Sequence, residues 1–439
     1  MTAGGATALL QRLVPARPGE VRALAWSFLY FFSLLCGYYV LRPVRDEMGI
    51  QGGVENLQWV FTGTFVVMIA AVPLYGWAVA RLPRRRLLPA VYLFFIANLL
   101  IFYLLMDAGV APAGIARAFF IWVSVFNLFV VSVFWSFMAD LYSNVQARRL
   151  FGFIAAGGSA GAVTGPALTT ALAPLLGPAN LLLVSAVFLA VALLCIGRLL
   201  AWSATPAANS TRATAATRGT GGGLWAGLRQ VLVSRYLLGI CLYILLYTTL
   251  STFLYFEQAH IVRDAFADPG ERTRVFAAID LAVNSLTIIL QVFLTAHVVR
   301  WLGVGGSLAL VPLGVAAGLV ALGAFPGLVA LISVQVLRRA GNYAVSRPAR
   351  EMLFTVVDRE ERYKAKNVID TLVYRGGDAA SAWLYTGLAA LGLGLGAIAF
   401  IAVPLALLWA YNGVLLGRHQ ERLRGRGNKE ETAYGYPTD

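Results

Sequence analysis

Apolar blocks of about twenty residues recur along this chain, separated by short polar or basic breaks. A helix needs roughly 20 apolar residues to cross the hydrocarbon of a bilayer. Twelve blocks qualify, at about 22–42, 57–80, 87–106, 115–139, 150–175, 179–201, 236–258, 275–298, 303–324, 326–345, 367–392 and 395–417. None alternates with period two, and lipid leaves no water for free backbone groups, so the blocks predict helices rather than a barrel. Pro73, Pro166, Pro312 and Pro404 fall inside blocks and predict kinks.

The longest break, 202–234, is rich in Ala, Ser, Thr and Gly and predicts a flexible cytoplasmic linker. It divides the chain into a six-helix half over 1–201, a second over 235–418 and a tail over 419–439. A short echo supports the division. Gly157-Gly158-Ser159-Ala160 opens the fifth block and Gly376-Gly377-Asp378-Ala379 the eleventh, both with small residues that permit close helix packing. The connection 346–366 is charged and contains Pro348, yet Met352, Leu353, Phe354, Val356 and Val357 make part of it apolar. A helix on the membrane surface and a solvated loop fit it equally.

Charge sets the orientation. With the N-terminus inside, 28 of the 35 lysines and arginines fall in cytoplasmic segments, so both termini are expected in the cytoplasm. Outer positions hold Arg42, Arg45, Arg117, Arg263, Arg272 and Arg274, while Arg375 is intramembrane and the deepest basic residue. Arg338 and Arg339 count with the tenth-to-eleventh loop. The net charge of +14 therefore reflects loops facing anionic headgroups and calls for no nucleic-acid partner. Apolar residues make up 59% of the chain and charged ones 13%, which excludes an ordinary soluble domain. Cys36, Cys195 and Cys241 lie in apolar blocks as packing residues. Arginine far outnumbers lysine, which suggests a GC-rich bacterial genome and hence the inner membrane. The first block is long enough to stay as an uncleaved anchor.

Ionisable groups at membrane depth cost about 2.5–3.5 kcal/mol on insertion scales, so each is a functional candidate. The densest cluster is Arg42-Pro43-Val44-Arg45-Asp46-Glu47. If the helix continues through it, Arg42, Arg45 and Asp46 share a face; the arginines would grip an anion and Asp46 would hold them when it is absent. In the eleventh block Lys366 and Asp370 are spaced for one ion pair, and Arg375 and Asp378 for another. Glu257 and Asp280 are further carboxylates, able to pair with arginine or take up a proton, with pairing favoured for Glu257. Asn127, mid-block in the fourth span, reads as a substrate contact or, by preference, as a bond between helices. There is no phosphate-binding glycine loop, and His260, His297 and His419 are far apart, so the chain is expected to be no enzyme and to need no cofactor or metal.

Two stretches resemble the ATP:ADP antiporter family of nucleotide transporters. One is Leu41-Arg42-Pro43-Val44-Arg45-Asp46. The other runs from Asn342-Tyr343 through Arg347-Pro348-Ala349-Arg350-Glu351-Met352 and Lys364-Ala365-Lys366 to Asp370 and Arg375-Gly376-Gly377. The resemblance implies a divergent bacterial relative with a major-facilitator-like fold, its halves six helices each, and transport of nucleotides whose phosphates are held by basic residues. Arg45 stands where that family has lysine, and Val123 or an apolar neighbour where it has glutamate. The expectation is thus a secondary transporter of a small anionic or phosphorylated substrate, with Arg42, Arg45, Asn127 and Arg375 at the substrate. Two alternatives stay open: a major-facilitator exporter or proton-coupled carrier of a non-nucleotide compound, and a non-transporting membrane scaffold.

Overall fold

The computed structural model describes residues 17, 19–81, 83–203 and 224–433, and every regular element among them is helical. In chain order the helices are α1 (Val21–Gln51), α2 (Leu57–Arg81), α3 (Arg84–Asp107), α4 (Pro112–Leu141) and α5 (Asn144–Ser203). After the linker come α6 (Leu224–Val233), α7 (Arg235–Ala265), α8 (Pro269–Phe293), α9 (Thr295–Ala324) and α10 (Leu328–Gly341). The chain continues through α11 (Arg347–Leu353), α12 (Arg359–Val368), α13 (Tyr374–Ala390) and α14 (Leu395–Ala433).

Among the described residues, nine stretches are long and apolar enough to span a membrane. One of them, α5, turns a corner at Gly177 and supplies two spans. Two more helical runs, less apolar and each interrupted by a five-residue π-helical turn, lie where the tenth and eleventh blocks fall: Asn342–Ser346 follows α10, and Ile369–Val373 joins α12 to α13. With these the count reaches the twelve that the apolar blocks predict. Leu74, Leu175 and Phe293 are each at least 65% exposed, as expected of side chains that meet lipid.

Three stretches differ from the sequence reading. Residues 346–366 are mostly helix, α11 and α12, continuous with the π-turns that follow α10 and precede α13, rather than a loop. The linker 202–234 lies largely outside the described residues, but its last part is the helix α6, which packs on α12. The tail beyond 418 continues α14 to Ala433, and 434–439 lie outside the described residues.

The chain forms two compact units. The first comprises Met1–Asn56, Val66–Arg218 and Phe266–Leu281, and the second Leu57–Phe65, Gly219–Ala265 and Ala282–Asp439. In the first unit α1 lies against α5 along a glycine seam. A Cβ on Gly157 would come within 2.6 Å of the Phe28 carbonyl and one on Gly165 within 2.7 Å of the Cys36 carbonyl, while one on Gly161 would strike the Phe32 carbonyl. Glycine at this four-residue spacing lets two backbones touch, which is the main source of helix attraction in lipid. At the base of the seam Glu20 accepts from Gln146 Nε2 at 2.8 Å, from Arg149 at 3.1 Å and from the Arg17 amide at 2.9 Å. Burial pushes the Glu20 carboxyl up, but these bonds and the Arg149 charge outweigh it and hold the carboxyl below its ordinary value.

In the second unit α7 meets α13 in the equivalent way, first helix of the half against penultimate. Gly377 sits against Leu245 and Thr248, and one turn on Ser381 Oγ bonds Thr249 Oγ1 at 2.9 Å. The next turn presents Tyr385, whose ring packs on Phe253 and Phe256. The seam is thus built from side chains rather than bare backbone.

Candidate functional site

In the first unit α1 runs unbroken to Gln51 despite Pro43, so Arg42, Arg45, Asp46 and Glu47 all project from helix. Arg42 Nε lies 3.6 Å from Asp280 Oδ2, and Arg45 Nη2 lies 3.8 Å from Asp46 Oδ1. The Arg45 guanidinium also stacks 4.2 Å above the Phe120 ring. Both arginines keep 17–19% of their side-chain surface exposed. Asp46 thus lies beside Arg45, and Asp280 beside Arg42.

The tightest pair of the cluster was not foreseen. Arg272, from the first turn of α8, grips Glu47 with both arms, Nε to Oε2 and Nη2 to Oε1, each at 2.8 Å. Gln51 adds a third donor to Glu47 at 3.2 Å, and the Arg272 Nη1 donates to the Phe266 and Ala267 carbonyls. Glu47 is wholly enclosed. A fork of this kind fixes two helices together and leaves neither group for a substrate.

The second unit handles its charge differently. Arg338 on α10 is 4% exposed, which makes it far more enclosed than Arg375, whose side chain is one-third exposed. Neither Arg338 nor Arg339 is a loop residue; both are buried in helix. Arg338 Nη1 donates to Ser251 Oγ at 2.8 Å and Nη2 to Gln335 Oε1 at 2.7 Å, while its Nε has no partner among the described residues. Gln335 in turn donates to Gln258 Oε1 and the Leu254 carbonyl. The Tyr247 ring lies 6.0 Å from the guanidinium, and its hydroxyl accepts from Asn342. The partners of Arg338 among the described residues, Ser251, Gln335 and the Tyr247 ring, are all neutral.

A π-turn, Asn342–Ser346, follows α10 directly after the cluster. It frees carbonyls of the helix ladder, and those of Tyr343 and Ala344 accept from Gln291 and Thr295. Such turns are rare and gather at functional positions. The second π-turn carries Asp370, which lies 3.8 Å from Arg350. Lys366 bonds the Glu351 carboxylate rather than the Asp370 that spacing suggested. Arg375 lies 3.6 Å from Asp378 and beside the Tyr374 ring.

Two further expectations fall differently. Glu257, with pairing favoured, has neither ion pair nor hydrogen bond to any described residue, although it is 1% exposed. Asn127, read as a bond between helices, is half-buried and makes no hydrogen bond among the described residues. The expected site residues fall in both units, Arg42, Arg45, Asp46, Asn127 and Asp280 in the first and Glu257, Lys366, Asp370, Arg375 and Asp378 in the second, where Lys366, Asp370 and Arg375 lie in three separate pairs. Arg338 and Gln335 are spaced three apart on an apolar helix, which is the signal that marks them.

The model of the Major Facilitator Superfamily matches residues 7–362. A comparison with curated proteins finds no match. Among solved structures the chain is similar to the POT family transporter PepTSo, with TM-score 0.65 and 12% identity over 91% of this chain and 98% of that one. It is also similar to a bacterial homologue of the iron transporter ferroportin in its inward-facing state, with TM-score 0.64 and 13% identity over 90% and 99%. The nucleoside transporter NupG gives 0.61 and 13% over 91% and 99%. These likenesses are of fold. With its all-helical, multi-pass architecture, the chain belongs to the Major Facilitator Superfamily.

Proposed function

We propose that this protein is a secondary transporter that carries an anionic, phosphate-bearing metabolite across a bacterial inner membrane by alternating access, with both termini in the cytoplasm. The observation that carries the reading is Arg338, a guanidinium buried at membrane depth among neutral partners. Burying a cation costs several kcal/mol unless a counter-charge is supplied. A bound anion supplies it, and the planar fork of arginine suits phosphate oxygens. Arg42 and Arg45, half-buried and 3.6–3.8 Å from Asp280 and Asp46, give the first unit a second basic group, there with carboxylates beside it. A nucleotide is the favoured metabolite, because the stretches from Leu41 to Asp46 and from Asn342 to Gly377 resemble those of the ATP:ADP antiporter family, and tyrosine rings adjoin Arg338.

The test is a thermal-unfolding screen of purified protein against inorganic phosphate, pyrophosphate, ATP, citrate and chloride. A ligand at a hundred times its Kd stabilises by about 2.7 kcal/mol. Stabilisation by the phosphate compounds, lost in Arg338→Gln, is the expected result. Equal shifts in the variant, or none with any phosphate compound, overturn the assignment.

A further inference from the structure

The end of the linker and the charged stretch ahead of the eleventh span meet in the second unit. There α6 packs on α12, and a cleft of about 660 Å³ lies between them. Small-molecule sites occupy roughly 300–1,000 Å³. None of the described residues lining the cleft belongs to the groups placed above.

Its lining is mixed in charge. α6 and the residue after it supply Arg229, Val233 and Ser234, while α12 and the residue before it supply Asp358, Glu361 and Lys364. Two cations and two carboxylates leave these six neutral as a set. An anion alone gains at the first pair and is repelled at the second, and a lone cation fares the reverse. A ligand that carries both charges is attracted at both. Ser234 Oγ accepts from the Leu237 amide at 3.3 Å, which leaves its hydroxyl hydrogen for a phosphate oxygen.

The place of the cleft in the fold selects what brings the two charges. Only Ser234 separates α6 from α7, and α7 is a membrane span. Val233 is 78% exposed and Leu232 61%, and Leu238, one turn into α7, is exposed as a lipid-facing residue is. The polar lining thus has an apolar rim at the start of a span, the level at which head groups give way to acyl chains. A soluble zwitterion has nothing to lay on that rim, and a phospholipid does.

The lining also chooses among phospholipids. An anionic head group is repelled by Asp358 and Glu361. A choline head group has no N–H and is held by aromatic faces, and no aromatic ring is among the described lining residues. A primary ammonium donates N–H bonds to carboxylates, and its neighbouring phosphate accepts from arginine and lysine.

We propose that the cleft between α6 and α12 binds the head group of a zwitterionic aminophospholipid, its phosphate on Arg229 and Lys364, its ammonium on Asp358 and Glu361, and its chains past Val233 and Leu232. Because α12 runs through the second π-turn into α13 and Arg375, the lipid ties α6 to the helix that carries a candidate site residue.

The test is native mass spectrometry of the full chain, offered equal amounts of phosphatidylethanolamine, phosphatidylcholine and phosphatidylglycerol of the same chain length. Wild type should retain phosphatidylethanolamine about tenfold over the other two. Asp358→Asn with Glu361→Gln should abolish its lead over phosphatidylglycerol, whereas Glu361→Asp, which keeps the charge, should preserve it. Arg229→Gln with Lys364→Gln should weaken retention of phosphatidylethanolamine. Equal retention of the three lipids by wild type, or a full preference in the Asp358→Asn, Glu361→Gln variant, overturns the site. Displacement of the lipid by soluble phosphoethanolamine at the same concentration overturns the assignment to a lipid. The wild-type comparison needs no variant to fold, and no transported substrate enters it.

Discussion

Glu47 in the first unit and Arg338 in the second are equally hidden from solvent, yet one is locked to an opposite charge and the other is cradled by hydroxyl and amide. The seams follow the same division. Gly157, Gly161 and Gly165 bring α5 onto the backbone of α1, whereas α13 meets α7 through Gly377, Ser381 and Tyr385. The contrast separates two uses of buried polarity. A compensated charge fixes structure, and on the reading proposed above an uncompensated one is kept for a ligand that comes and goes.

The contrast can be broken most forcefully at the locked pair. Arg272→Ala strands Glu47 and is expected to lower stability by about 3–5 kcal/mol, read as a large drop in melting temperature in detergent. Replacing both partners by methionine should recover most of that loss. If the single variant melts like wild type, the pair is no lock and the distinction fails.

Arg338→Gln should behave oppositely. Its melting point is expected to stay close to that of wild type, because a costly buried cation is removed, while affinity for phosphate compounds falls by about 2–3 kcal/mol, measured by calorimetry. Arg338→Lys should recover only part of the affinity, since an ammonium lacks the planar fork.

Gly161→Val sharpens the seam contrast. The added atoms strike the Phe32 carbonyl and Cys36 amide, which cannot swing aside, for a loss of about 1–3 kcal/mol in the same melting assay. Gly387→Val, on α13 where nothing stands within 4 Å, serves as the neutral control.

The smallest effect belongs to Glu20. Its carboxyl is held below its ordinary value, so the latch to Gln146 and Arg149 contributes stability at neutral pH and loses it as pH falls through the folded pKa. Glu20→Gln should cost about 0.5–1 kcal/mol at neutral pH and flatten the acid limb of melting temperature against pH.

The spans were legible because apolar length is dictated by the bilayer, and each block found its helix. The breaks at 342–346 and 369–373 were not, since a π-turn differs from an α-turn by one hydrogen-bond register and leaves no mark on hydropathy. Arg42, Arg45 and Arg375 stood out as charges in apolar surroundings. Arg338 did not, because it adjoins Arg339 and a run of further basic residues that together look like a cytoplasmic loop. The Glu47–Arg272 fork joins positions 225 residues apart, beyond the reach of any spacing rule. Lys366 shows the converse: a spacing that permits a pair does not choose it when Glu351, fifteen residues away, is nearer in the fold.

The corner at Gly177 has a practical side. Its left-handed backbone, φ 74°, and the Pro178 that follows join two spans with no intervening loop. Any added side chain there is strained by φ alone. Reporter fusions and epitope insertions used to map sidedness need slack on both flanks, and this corner has none. It will read as intolerant however accessible that face of the membrane is, so sidedness at this end is better read from single cysteines on Leu175 or Leu176, both well exposed and fully helical.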